Sequence, residues 1–476
     1  MGGGIAGLAA AYFLRGRAGE VTVLEGSPWL GGKLAISEVA GLAVDSGAEA
    51  LLARRPEAVD LIGELGLADQ LVYPGTTTAR IWTRGEFRSL PRRQFMGVPG
   101  DFDELERARI VSAAGVARAR EDVTRPATAR DGDVSVSEFV GARLGDEVVD
   151  RLVEPLLGGV YAGRPDQLSY EATLPALAQA SLRHRSITDA VNALLGPVSP
   201  DSDAVPAPVF TTLTAGLGTL PEALARASGA TVRTKATVRE IARTAGGWRL
   251  TVGPTISPEY TDADAVILAL PARPASRLVD QLDGAASVAA DLAAIEYASM
   301  AIVTLAYPVS AFGQPLTGSG YLVPAIDGRP VKAATFSTMK WPHLATRQPA
   351  EGQLHVVRCS VGRIGEEAVL QRDDADLVRL AAADFAAATG VVGAPVDARV
   401  TRWGGGLPQY AVGHLGRVAR IRDGVATLGG LAVCGAAYDG IGVPACIASA
   451  RLAADQAARY LAGPGRIVNT GASTGE

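Results

Sequence analysis

Residues 2–7 read Gly2-Gly3-Gly4-Ile5-Ala6-Gly7, and the apolar run LAAAYFL follows at positions 8–14. Next come the β-branched stretch Val21-Thr22-Val23-Leu24 and the acid Glu25. This is the order of a dinucleotide-binding βαβ unit: Gly2 for a tight turn, Gly4 for close approach of backbone to pyrophosphate, Gly7 for packing of helix on strand. Glu25 then stands where a carboxylate accepts hydrogen bonds from ribose hydroxyls, and an acid there disfavours a 2′-phosphate. The same unit calls for a first strand before Gly2, where only Met1 stands. On that pattern about five to eight apolar residues are expected upstream, because otherwise the parallel sheet carries a gap in its middle.

Two further glycine turns follow, Trp29-Leu30-Gly31-Gly32-Lys33 and Val44-Asp45-Ser46-Gly47-Ala48-Glu49. Near the C-terminus LAVCGAAYDGIGVPACIASARLAADQAARYL again runs strand, glycine turn, helix. First and last segments of one form imply a single dinucleotide domain assembled from distant pieces of chain. Between them, residues 101–204 show helical spacing in LERARIVSAAGVARARED and VSEFVGARLGDEVVDRLVEPLLGGV. PVSPDSDAVPAP at 197–208 is a loop signal, and ADAVILAL at 263–270 reads as a buried parallel strand. Strand-rich stretches are expected at 301–307, at 321–337 and after Gln353.

The chain has 476 residues, 48% hydrophobic and 20% charged, so a disordered, fibrous or coiled-coil protein is excluded. A net charge of −5 and the lack of a Lys/Arg cluster interleaved with aromatics argue against nucleic acid as a partner. Cys359, Cys434 and Cys446 form no CxxC pair, which argues against disulfides and a zinc site and for a reducing cytoplasm. No stretch reaches transmembrane length. The fold class is therefore α/β: a Rossmann-like domain (1–75, 209–285 and 415–463), a mixed-sheet substrate domain (76–100 and 286–414), a helical domain (101–208) and a disordered tail (464–476).

Longer motifs carry a resemblance over nearly the whole chain. GGGIAGLAAAY, LEGSPWLGGK, VDSGAEALL and DAVILALPA are similar to the amine-oxidase-like FAD proteins. Within that group VEPLLGGVYAG (153–163), FTTLTAGLGTLPEAL (210–224), YASMAIVTLAY (297–307), GSGYLVPA (318–325), ATFSTMKWPH (334–343), RWGGGLPQYAVGH (402–414) and CGAAYDGIGVPACI (434–447) resemble the porphyrinogen-oxidising flavoproteins. By that resemblance FAD would be contacted by Gly2, Gly3, Gly4, Ile5, Ala6, Gly7, Glu25, Gly26, Gly31, Gly32, Lys33, Gly47, Ala48, Glu49, Ala50, Val238, Trp403, Ala436, Ile441, Gly442 and Val443. Lys33 departs from the arginine common in the family, keeping the charge and losing the planar fork. Gly404-Gly405-Gly406 stand where covalent amine oxidases carry a linking cysteine, so the flavin is expected to be non-covalent.

The implied reaction is a six-electron, oxygen-dependent oxidation of a porphyrinogen, with hydrogen peroxide released and the flavin carrying the chemistry. No catalytic side chain is then required. His184, His343, His355 and His414 show neither nucleophile nor metal-ligand spacing and read as structural. A flat, apolar macrocycle with acidic propionates needs an apolar slot, for which the resemblance offers Tyr161, Gly163, Ser319 and Leu322. It also needs cations at the slot's mouth: Arg358, Arg92, Arg93 and Lys340 are the candidates. Arg358, and the loop Gly97–Asp101 after Arg92 and Arg93, favour coproporphyrinogen III over protoporphyrinogen IX. Competing readings are another amine-oxidase-like flavoenzyme and a non-catalytic binding protein on the same scaffold. Oxygen as acceptor, a monomer or homodimer, and peripheral contact at the inner face of the cell membrane complete the expectation.

Overall fold

Between Ile5 and Leu14 there is no charged residue and no proline, and the stretch forms a helix in which every residue after Ile5 is buried. A helix apolar on all sides has no face to give to water, so it sits inside its unit. The computed structural model describes residues 1–128, 131–197, 208–348 and 352–463, which fall into two compact units. Most of the loop signal at 197–208 and the tail at 464–476 lie outside the described residues.

The first unit comprises residues 1–32, 220–294 and the chain from 418 onward. Its central helix packs against helices Leu220–Ser228 and Val443–Ala462. Strand Thr22–Leu24 pairs in parallel with Thr231–Arg233, and Val266–Leu268 pairs in parallel with Leu431–Val433. Met1 and Gly2 lie between these pairs. The Met1 amine donates to Ile267 O (2.8 Å), Ala269 N donates to Met1 O (2.9 Å), and Gly2 N donates to Leu24 O (2.8 Å). These two residues, at the place where a first strand is expected, are thus bonded on both sides. A three-stranded antiparallel meander, Val238–Thr244, Gly247–Val252 and Glu259–Ala263, completes the unit.

The second unit comprises residues 33–219 and 295–417. Segments 33–75 and 209–219, expected with the first unit, cluster here, as does the helical region. Its main sheet has seven strands in the order Asp397–Pro408, Tyr297–Pro308, Leu354–Val361, Val331–Phe336, Gly320–Leu322, Ala79–Thr83, Glu86–Ser89. All neighbours are antiparallel except Gly320–Leu322 with Ala79–Thr83, which run parallel. Helix Asp374–Thr389 covers one face, and Trp82, Tyr307, Tyr321, Phe336 and Phe385 fill the core.

The helical segments are more broken than their spacing suggests. LERARIVSAAGVARARED divides where Arg109 adopts φ 52° and Ser112 caps a new helix by accepting from Gly115 N. The later run divides at Gly145 (φ 89°) and contains a π turn over Val149–Val153. Apolar periodicity carries no signal for either interruption. Buried Arg143 pins the region, binding Asp122 Oδ1 at 2.5 Å and the carbonyls of Asp122, Pro126 and Arg185.

Strand Val331–Phe336 also carries Lys332, 2% exposed, whose ammonium donates to Gly362 O. Burial pushes its pKa down to about 7; Arg363 adds to the shift, and Glu366 and Glu154 oppose it. The folded state therefore carries a cost for the buried charge below pH 7, and that cost is relieved as pH rises from about 7 toward the ordinary value of 10.5. Lys332→Met should accordingly melt higher than the parent at pH 6.5, with the difference shrinking at pH 9. A constant offset between the two melting curves across this range would contradict the sign.

Candidate functional site

In the first unit the glycine loop divides by what surrounds each residue. A Cβ on Gly2 (φ 98°) would overlap Ala269 O, and one on Gly7 would overlap Gly2 O. A Cβ on Gly3 would meet Leu30 at 2.6 Å and Glu25 at 2.9 Å. On Gly4 no atom of the described residues would come nearer than Gly31 O, at 4.0 Å. Three glycines are thus demanded by the protein's own packing, and the fourth faces space that a ligand backbone could approach. Glu25 ties this loop down: Oε2 accepts from Gly3 N (2.6 Å) and Oε1 from Ser27 N (2.7 Å). A carboxylate has about four lone-pair sites, so both oxygens retain capacity for ribose hydroxyls.

Helices Ile5–Leu14 and Val443–Ala462 begin at Gly4 and Gly442, and neither start has a side-chain cap. Uncapped first-turn N–H groups with the positive end of the helix dipole suit a pyrophosphate. Ile5 and Ala6 open the first of these helices, and Val443 opens the second. The turn after strand Leu431–Val433 lies beside the first of these starts, since a Cβ on Gly435 would lie 3.8 Å from that of Ala6. Ala436 follows Gly435, and Ile441 lies between Gly440 (φ 143°) and Gly442. Gly31 N donates to Gly3 O (2.9 Å) and Gly32 follows with φ 58°, while Gly26 sits against Thr237 and Val238 opens the meander. These features fit the dinucleotide half of FAD.

The second unit holds the other candidates. The segment Asp45–Glu49 is fixed from several sides: Ser46 N donates to Ala35 O (2.8 Å), Ala48 N to Lys33 O (3.1 Å), and Trp403 Nε1 to Ser46 O (3.1 Å). A Cβ on Gly47 would overlap Lys33 O and lie 3.1 Å from the Trp403 ring. Asp45 accepts from Leu217 N and Gly218 N; burial, opposed by these bonds, raises its pKa to about 6. Ala50 packs against the cluster of Val39, Val44, Trp341 and Val356.

Arg358 has partners within the protein. Expected as a free cation for substrate, it is 7% exposed and already engaged: it donates to Gly47 O and pairs with Glu49 Oε2 at 2.5 Å. Lys340 takes the other Glu49 oxygen at 2.9 Å. Burial would raise the Glu49 pKa, but Lys340 and Arg358 outweigh it and hold the carboxyl well below its usual range. Arg93 is also committed, to Asn192 Oδ1 and Gly196 O at 2.6 Å each. Arg92 differs, being exposed and without a side-chain partner among the described residues. It lies two residues ahead of the first strand of a hairpin, Gln94–Phe95 with Val98–Pro99, whose turn residues Met96 and Gly97 both have positive φ.

Tyr161 and Gly163 lie at the end of the helix Glu154–Tyr161 and just beyond it. Tyr161 is buried with its ring 5.7 Å from that of Tyr410, and burial raises its hydroxyl pKa to about 12. Gln409, which the sequence did not single out, donates to Tyr161 O at 2.8 Å and leaves no room for a side chain on Gly163. Ser319 is held by its backbone to Thr78 and Phe336, and Leu322 lies 3.3 Å from where a Gly159 Cβ would stand. The buried acid Glu154 and its partner Arg363 were also missed, although Glu154 stands inside VEPLLGGVYAG, beside a proline and surrounded by apolar residues. Among the described residues no group of His, Cys, Asp and Glu could hold a metal ion.

Comparison with known proteins adds to this geometry. The family described as flavin containing amine oxidoreductase matches residues 5–458. The coproporphyrinogen III oxidase of Mycobacterium tuberculosis H37Rv is 37% identical over 456 residues, 94% of each chain. That of Bacillus subtilis is 31% identical, covering 97% of each chain. A solved structure from Exiguobacterium, named provisionally for the protoporphyrinogen oxidases, is 30% identical with a TM-score of 0.83, covering 97% of this chain and 98% of that one.

Removing one partner of the Glu49 cluster leaves a buried charge poorly compensated, at a cost of about 3 kcal/mol. Arg358→Met and Glu49→Gln should each lower the urea midpoint, while the double variant should lose about 1–3 kcal/mol less than the sum of the two. Strict additivity would show that the pair does not interact.

Proposed function

The chain belongs to the flavin-containing amine oxidoreductase family, and from that membership we propose that it oxidises coproporphyrinogen III to coproporphyrin III. It is an FAD-dependent oxidoreductase. The observation that carries the substrate assignment is the similarity over 94% of both chains to a coproporphyrinogen III oxidase. Protoporphyrinogen IX is the second reading, favoured by the Exiguobacterium structure and by a 26% identical protoporphyrinogen oxidase of Arabidopsis thaliana.

Non-covalently bound FAD would supply the hydride acceptor, with oxygen as the final acceptor and hydrogen peroxide as its product. The protein's part is to hold and orient. In this reading Gly4 and the uncapped helix starts at Ile5 and Val443 take the pyrophosphate, and Glu25 takes the ribose. Segment Gly47–Ala50, which the resemblance assigns to FAD, is held within its own unit by Lys33 O, Trp403, Arg358 and Lys340. Tyr161, Gly163, Ser319 and Leu322 form the apolar slot, and Arg92 supplies a cation for a propionate. The three-part division into dinucleotide, substrate and helical domains belongs to this proposal, as do a monomer or homodimer and a cytoplasmic location.

Side-by-side oxygen-dependent turnover, read by porphyrin fluorescence, tests the substrate. Coproporphyrinogen III should be preferred, and Arg92→Gln should raise its KM roughly fivefold, the worth of an exposed charge contact of about 1 kcal/mol. Preference for protoporphyrinogen IX would reverse the assignment. No helix among the described residues is long and apolar enough to cross a membrane. Peripheral contact is proposed for the helical region, which exposes Val160, Leu182, Leu194 and Leu195. Flotation with anionic liposomes should carry the protein upward, and complete retention in the soluble fraction would remove this contact.

A further inference from the structure

We propose that Glu154 and Arg363 are positioning residues that fix the spacing between the end of helix Glu154–Tyr161 and strand Gly320–Leu322, and so determine which porphyrinogen is accepted. The inference rests on the slot assignment under Proposed function and deepens it. Glu154 is 6% exposed and Arg363 4%. The carboxylate's Oε1 pairs with Arg363 Nε at 3.3 Å, and its Oε2 accepts from Ala325 N at 2.8 Å, just past the strand's end. Arg363 in turn donates to Val323 O at 2.9 Å, and its neighbour Ile364 donates through its N–H to Ala162 O at 2.8 Å. One ion pair thereby reaches the first turn of the helix, the residue after its end and the chain beyond Leu322.

Two adjacent glycines make this fit possible for different reasons. A Cβ on Gly158 would stand 2.9 Å from Glu154 Oε1, so this glycine leaves room for the carboxylate. A Cβ on Gly159 would stand 3.3 Å from Leu322 Cδ2, so its neighbour lets the strand's side chain approach the helix. The π turn over Val149–Val153 ends immediately before Glu154, and the extra residue in such a turn shifts the register of the helix after it. Stability alone is a poor account of the pair, because burying both charges costs about as much as their attraction returns and an apolar replacement often serves as well. An ion pair with two backbone anchors adds a fixed distance and direction.

The test compares the parent, Glu154→Met/Arg363→Met and Glu154→Asp for melting temperature, flavin content, porphyrin binding by fluorescence, and KM and kcat on coproporphyrinogen III and protoporphyrinogen IX. The double variant should melt near the parent and keep its flavin. Its KM for the preferred porphyrinogen and its porphyrin dissociation constant should rise about tenfold, kcat should change less than threefold, and the preference should be compressed. Glu154→Asp, which keeps the charge and shortens the arm, should give a smaller shift in the same direction. A pair that merely stabilises would move the melting temperature and leave KM alone. Unchanged KM and preference in the double variant overturn the proposal, and if that variant does not fold, unchanged values in Glu154→Asp do so. A parent that oxidises neither porphyrinogen overturns the slot assignment and the inference together, whereas parental turnover with unaltered variants overturns the inference only.

Discussion

The closeness of helix Ile5–Leu14 to the turn that feeds it constrains everything else in the first unit. Gly7 packs where any side chain would overlap Gly2 O, and Gly2 packs where any side chain would overlap Ala269 O. This contact draws helix, turn and the end of strand Val266–Leu268 together with no side chain between them. Met1 and Gly2 can then hydrogen-bond both to Leu24 and to the strand at 266–268. Glu25 closes the arrangement by accepting from Gly3 N, so the acid expected at the ribose also holds the glycine loop. The helix starts at Gly4 without a side-chain cap, so its first-turn N–H groups are left for a ligand.

In the second unit the corresponding constraint is buried charge, and the cation is usually arginine. Arg143, Arg358 and Arg363 each pair with a carboxylate and each also donate to backbone carbonyls. A guanidinium has five N–H donors in a planar fork and serves both kinds of partner at once, which an ammonium does less well. Lys332 shows the contrast: buried as deeply, it reaches one carbonyl and loses most of its preference for the charged state near neutral pH. A basic complement consisting almost wholly of arginine, which carries no message when read as composition, suits a unit that locks its segments by forks.

The legibility of each feature in the sequence depends on how local it is. The glycine loop, Glu25 and the C-terminal glycine turn are encoded in a few consecutive residues, and their backbone roles follow from the absence of a side chain. Apolar runs such as 263–270 marked strands for the same reason, although the parallel pairing covers Val266–Leu268 and Ala263 closes the preceding antiparallel strand. The pairing of Arg358 was not legible because its partner, Glu49, lies far away in sequence, and an arginine within a β-rich stretch looks free until the pairing is known. Glu154 was passed over because its proline and apolar neighbours look like ordinary helix. Gln409 gave no signal for a similar reason: its contact with Tyr161 depends on tertiary proximity.

The lone parallel pairing in the seven-stranded sheet bears on how the protein assembles. Strand Gly320–Leu322 meets Ala79–Thr83 from the opposite half of the chain, whereas its other partner, Val331–Phe336, is close by in sequence. Closing so long a loop is entropically expensive and comes late unless other contacts have already brought its ends together. On a ribosome, residues 79–89 emerge long before residues 320–322, and Thr83 and Arg84 already have partners in the helical region, at Arg151 and at the carbonyls of Arg109 and Ile110. The wall that carries Leu322 is completed only when Gly320–Leu322 pairs with the hairpin at 79–89, so the slot is assembled from both halves of the chain.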